Sequence, residues 1–132
     1  MALNVPDVGE NKILEAVVNK TAPENLVLRL YQNNITPSDT DTAATYTEAT
    51  FTGYSAITLT GANWNAASAG SITFNAQQTF TCSGASSNSI YGYYVTQVTS
   101  GVLIWSERDV SAPFSITTSG DAVKLTPTIS AN

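Results

Sequence analysis

The chain has 132 residues, with five Lys and Arg against ten Asp and Glu, no His and one Cys. This length accommodates one domain, and a domain of this size buries enough surface to hold a core without disulfide or metal staples. Absence of His excludes Ser-His-Asp and Cys-His catalysis, one Cys without His cannot build the usual zinc ligand sets, and a net charge of -5 opposes phosphate-backbone binding, which rests on clustered Lys and Arg. No catalytic residue, metal, cofactor or nucleic-acid partner is therefore expected, and a binding or structural protein is favoured over an enzyme.

In chain order, Asp7 and Glu10 have capping-box spacing, and Ile13, Leu14, Val17 and Val18 recur at helical spacing. They predict a short amphipathic helix that stops near Lys20, before Pro23, and lays its apolar face on a sheet. Leu26 to Tyr31 alternates as a first strand. Residues 33–45 form a polar connection long enough to suggest a role, and Tyr46 to Ala49 suggests one helical turn. Gly53 to Thr60 reads as a second strand, and Trp64 sits in a loop between Asn63 and Asn65. Ile72 to Cys82 alternates again, with Gln78 marking a bulge or a turn that splits the run.

Ile90 to Thr99 and Val102 to Glu107 predict a hairpin closed by Ser100-Gly101. A two-residue loop there sets Val98 opposite Leu103, Thr96 opposite Trp105 and Tyr94 opposite Glu107. Tyr91, Tyr93, Val95, Val102 and Ile104 then share the reverse face, which is as apolar as the first. Since a sheet covered on one side alone shows a polar reverse, that second face must be covered by the N-terminal helix or by another protein. Pro113 to Thr117 suggests an edge strand and Ala122 to Ile129 a last strand, with Pro127 restricting it to an edge or a bulge. Seven or eight short antiparallel strands and one N-terminal helix predict a mainly β fold. The expected architecture is a single β-sandwich domain, jelly-roll-like, over 1–132, with 1–22 as an arm and helix.

No charge occurs from Ala49 to Ser106, a stretch of 58 residues. It lacks the run of about 18 apolar residues that a membrane helix needs, so it reads as ordered β-structure with a neutral surface, and no membrane partner is expected. The N-terminus, Met-Ala-Leu-Asn-Val-Pro-Asp, has no basic and apolar leader, which suggests synthesis in a cytoplasm.

Few residues suggest chemistry. Cys82 has no neighbouring positive charge to activate it and reads as a buried core thiol. Asp39-Thr40-Asp41 resembles a fragment of a calcium loop without its Gly and closing Glu, so an exposed polar loop is the better reading. Glu107-Arg108-Asp109 reads as a surface ion pair; with Glu48, these carboxylates meet no spacing rule for glycoside hydrolysis. Tyr91, Tyr93, Val95, Val102 and Ile104 are the candidates for a protein interface, where Tyr and Trp are enriched and charge is depleted.

The segments Thr21 to Pro37, Tyr46 to Tyr54, Tyr91 to Thr96 and Leu103 to Arg108 together resemble small virion structural proteins of tailed bacteriophages, most closely capsid decoration (cement) proteins. The resemblance spans most of the chain and identifies no site residues. It implies a non-enzymatic protein, made in the host cytoplasm, that binds the major capsid protein on the outer capsid surface, braces the shell and self-associates as a homodimer or homotrimer. The alternative is a tail or fibre module that binds host-surface glycan through Asn63, Trp64 and Asn65.

Overall fold

The structure is a computed structural model and describes residues 3–131. It is mainly β, with one helix, α1 (Asp7–Val17), and eleven short strands whose pairings are all antiparallel and close no barrel. A five-stranded sheet runs in the order β1 (Leu3–Asn4), β8 (Leu103–Arg108), β7 (Gly92–Gln97), β2 (Leu26–Tyr31), β3 (Ile57–Leu59). Three two-stranded ladders complete the layering: β4 (Ser71–Thr73) with β11 (Thr128–Ser130), β5 (Gln78–Thr81) with β10 (Ala122–Leu125), and β6 (Asn88–Ile90) with β9 (Phe114–Ile116).

Strands outnumber the seven or eight expected because the predicted runs are interrupted. The turn before Gln78 separates β4 from β5, Tyr91 separates β6 from β7, and the buried Pro127 separates β10 from β11. Proline has no N–H to give to a ladder; its carbonyl instead accepts the Phe74 N–H at 2.9 Å. The main core lies between the sheet and the ladders, where Leu28, Leu30, Tyr93, Val95 and Trp105 meet Phe74, Phe80, Cys82, Ile90 and Ile116.

The hairpin register differs from the predicted one. Gln97 N–H bonds to Val102 O and Gly101 N–H to Gln97 O, so the loop is the four residues Val98 to Gly101. Thr96 pairs with Leu103, and an irregularity at that point then sets Val95 opposite Trp105, Tyr94 opposite Ser106 and Tyr93 opposite Glu107. A shift of one residue exchanges faces. Trp105 therefore joins Tyr93 and Val95 in the main core, while Tyr94 and Leu103 turn to the reverse side with Tyr31.

The chain itself covers that reverse side. Segment 33–48 folds over it, bringing Ile35, Ala43 and Tyr46 onto Tyr31, Tyr94 and Leu103. Its single helical turn is a 3-10 turn at Ala43–Thr45, ahead of the predicted one; beyond it Glu48 bridges to Tyr31. Helix α1 covers the adjacent part through Val8 and Gly9. A Cβ on Gly9 would collide with the Ile104 carbonyl, so glycine is what lets the helix backbone rest on β8. The helix is capped differently from the prediction: Pro6 is the N-cap, without a side-chain bond, and Asp7 is already helical. Asn19, at φ 58°, follows the helix end in the left-handed conformation that Asn tolerates there.

Candidate functional site

The close approach at Gly9 determines which side of α1 faces the sheet. It turns the apolar stripe outward: Leu14, Val17 and Val18 are 63%, 77% and 72% exposed, and Ile13 is 39% exposed. This overturns the expectation that these four residues pack on the sheet. Single exposed apolar side chains are ordinary, whereas a contiguous group marks an interaction surface. Leu14, Val17 and Val18 are spaced three and four apart and hence contiguous on the helix. Ile13 lines a groove on each side of the helix. One groove runs to Val5, Ile129 and Ala131, the other to Pro23, Leu26 and Ile104.

The predicted interface residues do not form one surface. Tyr93, Val95 and Ile104 are buried by the protein's own residues, and Tyr91 and Val102 are half-buried in different clusters. The physical reason is the shifted register together with the cover from α1 and segment 33–48. In the alternative glycan set, Asn63 and Asn65 are exposed. Trp64 sits edge-on to Phe74 and Trp105, with ring centroids 5.2 Å and 6.2 Å away, so much of the indole is engaged by the core.

Polar chemistry on the reverse side is structural. The Tyr46 hydroxyl lies 2.7 Å from Asp41 Oδ2 and 2.8 Å from Ser106 Oγ. Its one proton goes to the carboxylate, an acceptor only, and burial together with this carboxylate pushes the phenol's ionisation well above its usual range. Asp41 also accepts the Ser38 N–H at 2.9 Å, so the predicted polar-loop carboxylate is a buried anchor. No group of three or more possible metal ligands occurs among the described residues. Cys82 is buried, with its thiol 3.0 Å from Gly84 O.

Of the carboxylates considered for hydrolysis, Glu107 and Asp109 line one cleft and Glu48 does not. Glu48 is bound by Arg29 at 2.9 Å and by the Tyr54 hydroxyl at 2.9 Å, while Glu107, on the core side, accepts the Tyr93 hydroxyl at 2.6 Å. Burial and this carboxylate raise the Tyr93 phenol's ionisation well above the ordinary tyrosine value. Among the described residues Arg108 forms no ion pair with Glu107 or Asp109. It donates to Ile35 O at 2.8 Å and lies over the Tyr91 ring.

Comparison with protein-family models and with curated proteins finds no match. Among the described residues no helix is long and apolar enough to cross a membrane.

Proposed function

We propose that this chain is a non-enzymatic virion structural protein, a decoration or cement protein that sits on the outer surface of a bacteriophage capsid and braces the shell. The observation that carries the reading is the outward stripe of Leu14, Val17 and Val18 on α1, which offers an apolar anchor to the shell. The docking surface is thus the helix rather than the hairpin's reverse face. A protein that binds only the assembled shell stabilises it by mass action. The glycan-binding alternative has less in its favour, because Trp64 is engaged by Phe74 and Trp105.

The test uses purified particles stripped of the protein and then reconstituted. Stripped particles should break at lower temperature and under milder chelation, and wild-type protein should restore resistance. Val17→Asp should fail to rebind while melting as wild type does. Equal resistance with and without the protein, or only a handful of copies per particle, would overturn the reading.

A further inference from the structure

A cleft of about 410 Å³ opens beside the core side of the five-stranded sheet, with Leu30 and Tyr93 among its lining. That volume falls in the range of ligand sites. Phe114, which also lines it, is 39% exposed. One wall is Ala122 to Thr126 without a break. A strand that meets a cleft with one face contributes alternate residues, so an unbroken run means that β10 meets it with its edge. The other edge of β10 is bonded to β5 from Gln78 to Thr81, none of which lines the cleft. The wall is therefore the unpaired edge, a row of backbone N–H and C=O groups that templates a further strand.

Glu107 and Asp109 also line the cleft. Glu107 accepts the Tyr93 hydroxyl and Asp109 accepts the Ser111 N–H at 2.7 Å. Neither forms an ion pair among the described residues, since Arg108 between them bonds to Ile35 O. An incoming cation would meet two carboxylates outnumbering the one cation of the lining, Lys124, which pairs with neither of them among the described residues.

We infer that the cleft accepts an extended segment of another polypeptide, which joins β10 as a new strand, lays apolar side chains against the exposed Phe114 ring, and brings a Lys or Arg to Glu107 and Asp109. Main-chain bonds supply affinity in this mode, and the alternate side chains supply selectivity. The inference is independent of the capsid reading, because α1 contributes nothing to the cleft.

The probe is a pool of synthetic heptapeptides with Val or Ile at alternate positions and Lys at one end, titrated into the full chain and followed by amide NMR and hydrogen exchange. Binding should slow exchange at those amides of Ala122 to Thr126 that point away from β5. N-methylating the peptide's strand-pairing amides should weaken binding about tenfold or more, because two or three hydrogen bonds are lost. Glu107→Gln should weaken the Lys-ended pool several-fold and leave a neutral-ended pool unchanged. Ala122→Trp, which fills the cleft, should abolish binding while an unchanged melting curve reports an intact fold. Unprotected β10 amides at millimolar peptide would overturn the inference. So would equal binding by N-methylated peptides, which marks a site for compact apolar molecules, or protection at α1 instead.

Discussion

The two sides of the five-stranded sheet are built from different materials. On the core side, Leu28, Leu30, Val95 and Trp105 are buried against the side chains of three ladders, and stability there comes from apolar area and close packing. On the reverse side, three tyrosines, Tyr31, Tyr46 and Tyr94, pack around Leu103, with ring centroids 4.9 Å and 5.0 Å apart, and the loop that covers them is tied down through Asp41 and Ser106. The first side rests mainly on apolar burial, with the Tyr54 and Tyr93 hydroxyls paired to Glu48 and Glu107. The second is packed largely with aromatic rings, and its cover is held by the one paired hydroxyl, that of Tyr46.

Trp105→Ala attacks the core side and should have the largest effect of any single substitution, a loss of about 3–5 kcal/mol, read from urea unfolding. Raising the pH attacks both sides, because Tyr31, Tyr46 and Tyr94 lie on the reverse side while Tyr54 and Tyr93 pack in the main core. Burial raises the ionisation of Tyr31 and Tyr94 from 10.0 to about 12, and Tyr46, Tyr54 and Tyr93 shift in the same direction. The folded state holds these protons after the unfolded state has released them. Their contribution to stability is therefore complete below about pH 10 and lost as pH rises towards 12, at up to about 1.4 kcal/mol per pH unit for each tyrosine. Chemical denaturation across this range, with tyrosinate absorbance recorded in parallel, should show stability falling as the buried tyrosines ionise. A flat profile would contradict the burial of these hydroxyl groups.

Tyr46→Phe isolates a single hydroxyl. It leaves the Asp41 carboxylate and Ser106 hydroxyl without that partner, and should cost about 1–3 kcal/mol. Tyr31→Phe is the matching control and should have the smallest effect. The Tyr31 hydroxyl is buried with no hydrogen-bond partner among the described residues, so removing it should be within about 1 kcal/mol of neutral, or stabilising. Equal losses from the two substitutions, measured at neutral pH, would mean that the hydroxyl network contributes nothing beyond the rings.

Much of this arrangement was legible in the chain. Leu26 to Tyr31 forms a strand as its alternation predicts, the break before Gln78 occurs, and the neutral tract contains both strands of the sheet's centre, β7 and most of β8. The reverse face does need a cover, as its apolar character requires. The hairpin register was not legible, because Ser100-Gly101 is half of a four-residue loop and the irregularity beside Ile104 leaves no mark in composition. Helix orientation was misread for a related reason. Apolar spacing selects Leu14, Val17 and Val18 as the inward face, but the helix is set by how closely its backbone can approach β8, and that is decided by the small residue Gly9. For both reasons Tyr93, Val95 and Ile104, expected at a protein interface, are buried by the protein's own residues. The edge of β10 depends on tertiary pairing, which strand propensity does not report.

The pairing of β1 with β8 joins Leu3 to Glu107 and Asn4 to Ser106, and α1 rests on the same late strand. During synthesis β1 and α1 can meet Ser38 and Asp39 early, but their strand partner is about a hundred residues further on. Contacts this distant in sequence slow folding, and here they delay the docking of β1 and α1 on the sheet until β8 is available. A nascent chain halted before β8 should remain protease-sensitive at β1 and α1, and release of Leu103 to Arg108 should bring protection to these elements and to β8 together.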